Sequence, residues 1–228
     1  MNFATISGDI ISYSSFSPNE RLKIEEELIK LINFLREKFK NIDFYGRLIR
    51  GDYIECAMKE PAYSLRISLI FKTYLKLISK YFKLTFNKKT KYFFEHGLRI
   101  AIAIGTLDTF DIEKGIIDGE AIYLSGRRIQ NMSSHDKQKV IIKNTMFFCS
   151  NDTKIQNQFE TIFSLLDFII SKCSAKQSEV IYYKLLNYNE QEISKLLNKY
   201  QSTINQHSTS AGWPVIEKTL KYYESTIK

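Results

Sequence analysis

Two carboxylates stand out for where they sit. Asp9 lies inside an otherwise apolar run, Ile6-Ser7-Gly8-Asp9-Ile10-Ile11, and Asp52 follows a glycine in Ile49-Arg50-Gly51-Asp52-Tyr53-Ile54. A carboxylate inside a buried strand needs a partner or a metal, because an unpaired charge is costly to bury. A Gly-Asp pair in a hairpin has a plainer use, the aspartate accepting backbone hydrogen bonds of the turn. In a fold that sets the strand beside the turn, both carboxylates could hold hard cations such as magnesium. Two such ions a few ångströms apart activate a hydroxyl and stabilise the charge developing on a transferred phosphoryl group. The alternative is a scaffold that keeps the two positions without the chemistry.

A second chemistry is written near the C-terminus. The run Gln191-Glu192-Ile193-Ser194-Lys195-Leu196-Leu197-Asn198-Lys199-Tyr200-Gln201-Ser202-Thr203-Ile204 follows a helix-turn-helix pattern. Ile193 and Leu197 lie four apart and face inward, Ser194 is small enough for close packing, and Ile204 anchors the second helix. Asn198 falls in the tight turn, where it tolerates left-handed geometry. With 201–212 as the recognition helix, Gln201, Ser202, Thr203, Asn205, Gln206 and His207 are exposed. Asn and Gln bond bidentately to adenine edges, while Ser and Thr suit backbone phosphates. No arginine follows Arg128, so lysines such as Lys195, Lys199, Lys218 and Lys221 must supply phosphate contacts, and binding should depend strongly on salt.

These residues need elements to position them. Phe3–Ile11 reads as a central strand. Pro18 and Asn19 open a helix to about Phe39, with Leu22, Ile24, Leu28, Ile29, Leu31, Ile32 and Leu35 as its apolar stripe. Residues 43–50 and 53–58 read as a hairpin around Gly51-Asp52, and Pro61 starts a long helix to about Tyr81. His96–Gly105 is a buried-strand candidate, 107–117 a hairpin or long turn, and 119–132 a helix; 140–142 and 146–149 suit closing strands. The order β-α-β-β-α-β-α-β describes an α+β, ferredoxin-like palm with additions. The expected division is a palm over residues 1–150, a connecting helix over 151–174 that could also form a dimer contact, and a small all-α helix-turn-helix domain over 175–228. In that last part Lys176–Leu186 is a supporting helix, and Trp213, Val215, Ile216 and Leu220 seat a final one.

Bulk properties narrow the classes. The formal charge of +8 over 228 residues favours anionic partners. Much of the excess sits between Lys72 and Lys91, read here as a solvated helix face and loop. Cys56, Cys149 and Cys173 make no CxxC pattern and no closed disulfide framework, which fits a reducing cytoplasm. A strand-like segment at the very start leaves no room for a signal peptide. The most apolar stretch, 161–173, is interrupted by Asp167 and too short to span a bilayer, so no membrane association is expected. His96 and His135 have neither metal spacing nor a nucleophile partner and read as structural or surface residues. There is no Walker loop, no Rossmann glycine pattern and no Ser-His-Asp constellation.

Four segments, in order over residues 1–132, resemble class III nucleotidyl cyclases. Ile6–Ile11 looks like their first metal strand and Ile49–Ile54 like their second; Leu98–Gly105 is similar to the Arg-Ile-Gly-Ile strand that follows. Gly119-Glu120-Ala121-Ile122-Tyr123-Leu124-Ser125-Gly126-Arg127-Arg128 is similar to their Gly-X-X-Val-Asn-X-Ala-X-Arg helix. The resemblance implies that Asp9 and Asp52 hold Mg2+ or Mn2+ with help from the Ile10 carbonyl. It implies that Arg127 is catalytic, stabilising the transition state across a homodimer interface, and that Tyr123 and Arg127 contact the nucleotide, ATP or GTP. Tyr123 stands where the family has asparagine. Leu48 and Ile116 stand at the base-selecting positions, with Arg47 and Asp118 nearby as substitutes. The whole pattern also resembles bacterial SatD-like proteins, which pair such a domain with a helix-turn-helix, and residues 191–204 are similar to sigma-factor region 4. Two functions are therefore expected in turn: a DNA-binding transcriptional regulator with a dimerising or nucleotide-sensing palm, or an active cyclase forming a cyclic nucleotide and pyrophosphate.

Overall fold

The computed structural model describes residues 2–135 and 144–227, with backbone alone for 132–135. The expected strand at 140–142 and the side chain of His135 lie outside the described residues.

The chain opens with β1 (Phe3–Ile10) and α1 (Pro18–Lys38). Ser17 and Glu20 form a reciprocal capping box and Pro18 takes the first turn, which fixes where α1 begins. Ile24, Leu28, Leu31, Ile32 and Leu35 are buried at helical spacing. Leu22 and Ile29, expected in the same stripe, are instead 55% and 48% exposed. Both lie about 100° or more round the helix from the centre of the buried stripe, toward solvent.

Next come β2 (Tyr45–Ile49), β3 (Tyr53–Met58), α2 (Ser64–Tyr81), α3 (Lys91–His96) and β4 (Leu98–Gly105). The hairpin β5 (Thr109–Asp111) and β6 (Ile116–Asp118), helix α4 (Glu120–His135), β7 (Met146–Ser150) and α5 (Thr153–Lys172) follow. Four helices close the chain: α6 (Ala175–Leu185), α7 (Glu190–Leu197), α8 (Gln201–Ser210) and α9 (Trp213–Thr226).

The main sheet has the order β2-β3-β1-β4-β7. The first four strands are antiparallel to their neighbours and β7 runs parallel to β4. This is the split βαβ arrangement of a ferredoxin-like palm with one added strand, an α+β architecture. Strand alternation sorts β1 into two faces. Ala4, Ile6 and Ile10 enter the core with α1 and α2. Thr5, Ser7 and Asp9 take the other face, where the Thr5 and Ser7 hydroxyls meet Ser125 of α4 at 3.1 and 2.8 Å. Asp9 is thereby aimed along the side that α4 covers.

Helix α2 is buried almost all round, between the sheet and the C-terminal helices. That overturns the reading of a solvated face for Lys72 and Lys76, while Lys80 on the same helix is exposed. Lys72 is fully buried; its ammonium pairs with Asp167 at 3.1 Å and donates to the Leu98 carbonyl and Thr145 Oγ1, each at 2.8 Å. Asp167 also accepts from the Thr145 amide and hydroxyl. Burial alone would raise the Asp167 carboxyl, but Lys72 and the Thr145 donors hold it below the ordinary value. Lys76 donates to the carbonyls of Ile170, Ser171 and Glu95 at 2.6, 3.0 and 2.8 Å, capping the C-terminal end of α5. Lys83, Lys88 and Lys89 are exposed as expected.

One apolar core runs from Ala4 to Ile227. Phe148, Phe159, Phe163 and Tyr223 stack across β7, α5 and α9. Tyr223 hydroxyl meets Ser64 Oγ at 2.8 Å, and Arg66 of α2 pairs with Glu224 of α9 at 2.8 Å. Val180, Ile193 and Ile204 form a smaller cluster among α6, α7 and α8. In α9, Ile216 and Leu220 are buried as expected; Val215 is 55% exposed because it falls on the opposite side of the helix. No described helix is long and apolar enough to cross a membrane.

Candidate functional site

Asp9 is the penultimate residue of β1, opposite Tyr53 of β3 and Arg99 of β4. Gly8 permits this register: a Cβ there would sit 2.8 Å from the Arg99 carbonyl oxygen. Arg99 is buried, and its Nε lies 3.8 Å from Asp9 Oδ1. It is a site residue that sequence reasoning missed, although it is the one charged side chain in an otherwise apolar strand.

Asp52 closes the β2–β3 turn, in which Arg50 and Gly51 both adopt positive φ, 54° and 81°. Tyr13 and Glu25 crowd the space a Cβ on Gly51 would need, so the glycine meets both a conformational and a steric demand. The turn is tied to β1 by the Ile10 amide, which donates to the Asp52 carbonyl at 3.0 Å. Ile10 buries its own side chain in the core.

These constraints bring Asp9 and Asp52 into the wall of one cavity of about 700 Å³, with Arg50 and, from α4, Tyr123, Gly126 and Arg127. The resemblance assigns Arg127 to a site across a dimer interface; within the single chain it lines the cavity of its own Asp9 and Asp52. Its guanidinium lies 5.9 Å from the Tyr123 ring, and the Tyr123 hydroxyl donates to Asp118. Arg47 is committed elsewhere, to Glu55 at 2.7 Å and the Gly115 carbonyl at 2.7 Å. Leu48 packs against the core and Ile116 is exposed.

Burial pushes the Asp52 carboxyl above its ordinary value, against its own backbone amide and the charge of Arg50. A cation beside it would reverse that balance. No cluster of three His, Cys, Asp or Glu side chains among the described residues could cage a metal alone. The two carboxylates in one wall nevertheless suit Mg2+ or Mn2+, since magnesium is usually held by one or two carboxylates plus the phosphates of its nucleotide; Ile10 itself is not among the residues lining the cavity. The cavity thus offers two acceptors for a cation and the guanidinium groups of Arg50 and Arg127 for phosphate oxygens.

At the far end of the chain, α7 and α8 meet through a three-residue turn. Asn189 and Glu192 cap α7 reciprocally, and Asn198 takes the left-handed conformation at φ 50°. The Lys199 amide then returns to the Ser194 carbonyl at 2.9 Å. Gln201, Ser202, Asn205 and Gln206 are exposed on α8, while Thr203 and His207 are half-buried on one flank. Asn205 donates to Glu190 at 3.2 Å, so α7 already orients it. The cavity of Asp9 and Asp52 and the one bordered by Thr203 and His207 have no lining residue in common among the described residues.

No protein-family model matches the chain, and no curated protein matches it. Among solved structures, two of a bacterial light-regulated adenylyl cyclase align with it. One covers 65% of this chain and 43% of the other, at 12% identity and a TM-score of 0.44. The second covers 64% and 74%, at 13% identity and 0.44. The crystal structure of the guanylyl cyclase Cya2 covers 56% of this chain and 68% of its own, at 12% identity and 0.37. The chain therefore spans less than half the length of the first of these.

Proposed function

We propose that this chain is a DNA-binding regulator whose palm binds a nucleoside triphosphate together with a divalent cation. The observation that carries the proposal is the convergence of Asp9, Asp52 and Arg127, from β1, the β2–β3 turn and α4, on one cavity. Asp9, Asp52 and the Ile10 carbonyl would hold Mg2+ or Mn2+, which when bound neutralises phosphate charge. Arg50 and Arg127 would take phosphate oxygens and Tyr123 would border the sugar. The four cyclase-like segments and the palm's strand order support a class III cyclase-like domain.

The α7–turn–α8 unit would place Gln201, Ser202, Thr203, Asn205 and Gln206 against duplex DNA. A homodimer formed through the palm would present two such helices to two half-sites. The three free cysteines fit a reducing compartment such as the cytoplasm.

A second reading is favoured by Arg127 standing at the same cavity as both carboxylates: the palm turns the nucleotide over to a cyclic product and pyrophosphate. Incubating the full chain with ATP or GTP and Mg2+ or Mn2+, followed by product analysis, separates the readings. Bound, unconverted nucleotide supports the sensor, and a cyclic product lost in Asp9→Asn and Asp52→Asn supports the enzyme. Turnover that survives both substitutions removes the catalytic assignment. For DNA, Gln201→Ala with Gln206→Ala should flatten the sequence preference obtained by selection from random duplexes; an unchanged preference counts against α8 as the reading helix.

A further inference from the structure

A second large cavity, about 740 Å³, opens where the palm meets the C-terminal helices. Its walls come from the last turn of α2, from α6, and from the α7–α8 turn with the adjoining flank of α8. Lys80, Lys176 and Lys199 stand around it, one from each of these three parts, and Thr203 and His207 look into it from α8. Glu179 is the one carboxylate in the wall, and it is already engaged by Lys80 at 3.2 Å and by the Tyr81 hydroxyl. Lys176 and Lys199 are exposed and make no ion pair among the described residues. The cleft is therefore net positive, and Tyr81, 55% exposed, adds a hydroxylated rim.

Its position on α8 decides which anion it suits. Residues 204 and 208 of α8 face inward. Positions 202 and 206 point away from them, and 203 and 207 lie between. A helix seated in a major groove has a phosphate backbone passing along each of its flanks. The flank bearing Thr203 and His207 is the one on which the three lysines converge.

We propose that this cleft receives the phosphate backbone of the bound duplex, so that the palm itself, through Lys80 and Tyr81, forms part of the DNA interface. The inference rests on the reading of α7 and α8 as the DNA-binding unit and extends it to a part of the chain outside that motif. The occupant is a DNA strand, recognised through its phosphates irrespective of sequence.

The test is a salt series on the full chain, with fluorescence anisotropy on a duplex recovered from a random pool and on a scrambled duplex. Each phosphate contact contributes about 0.9 to the slope of log affinity against log salt. Lys176→Gln and Lys199→Gln should each lower that slope by about 0.9 and weaken both duplexes by the same factor. For Lys80, whose loss would bare Glu179, the comparison is Lys80→Gln with Glu179→Gln against Glu179→Gln alone, and the same decrement is expected. Unchanged slopes in all three comparisons, with wild-type binding intact, overturn the cleft while leaving α8 as the reader. A wild-type chain that selects no duplex overturns the DNA reading as a whole. ATP binding that weakens in Lys176→Gln and Lys199→Gln but persists in Asp52→Asn would place a small phosphate ligand in the cleft and overturn its assignment to DNA.

Discussion

Lys72 and Asp167 show what a single pair does inside this molecule. Neither charge reaches water, and each is satisfied by further polar partners, Leu98 and Thr145 for the lysine, Thr145 for the aspartate. Removing one partner of such a pair strands the other. Lys72→Met is expected to cost about 3–5 kcal/mol in chemical denaturation, and Lys72→Met with Asp167→Leu to recover most of it. Recovery would show that charge rather than volume drives the loss. The pair also sets an acid limit. Because the folded carboxyl lies below the ordinary 3.8, its stabilisation is complete above that pH and is lost as pH falls toward the folded value. Asp167→Asn should flatten stability against pH in that window, read from unfolding curves between neutral pH and the acid limb. At Gly8 the constraint is steric. Gly8→Ala would press a methyl against the Arg99 carbonyl and is expected to cost about 1–3 kcal/mol by displacing β4 from β1, measured by thermal melting.

At the scale of elements, the chain's periodicities were informative where one face of an element is buried. The strands β1 and β4, five of the seven expected stripe positions of α1 and the α7–turn–α8 run fall where apolar spacing and turn residues place them. Asn198 is a clear instance: it was expected in left-handed geometry and has φ 50°. Replacing it with Val should cost about 1–2 kcal/mol, whereas Gly should be tolerated, as thermal melting of the two variants would reveal. Periodicity fails where burial depends on distant partners. Leu22 and Ile29 are apolar, yet they lie about 100° or more round α1 from the centre of the buried stripe and stay exposed. Lys72 and Lys76 look like surface residues by type and are enclosed only because α5 and α6 pack onto α2 from outside. Helix α3 escaped notice because its six residues follow a lysine-rich stretch that reads as a connection. Of the cavity near Asp9, the two aspartates and Arg127 were legible through Gly-Asp pairs and a resemblance. Arg50 in its wall and the approach of the buried Arg99 to Asp9 were not, since their place is set by turn geometry and strand register.

At the scale of the whole molecule, α2 links the two ends of the account. One side of it supports the sheet that carries Asp9, and the other receives α6 and α9, through Tyr223 and Arg66 among others. A chain shortened to residues 1–174 would bare the outer side of α2 to water. Its amides should exchange with solvent far faster than in the full chain, and the fragment should associate; a monomeric fragment with α2 still protected would contradict this view of the core. Helix α2 therefore packs against both the sheet that carries Asp9 and the C-terminal helices proposed to meet DNA. The central claim, however, is that Asp9 and Asp52 make the palm a metal-dependent nucleotide site. The measurement that tests it most directly is a titration of the full chain with ATP and with GTP, with and without Mg2+, on wild type and on Asp52→Asn. The account predicts that Mg2+ tightens binding of at least one nucleotide by about tenfold or more in wild type, roughly 1.4 kcal/mol, and that Asp52→Asn loses this increment. Equal binding with and without the cation, or an increment that Asp52→Asn retains, would contradict it.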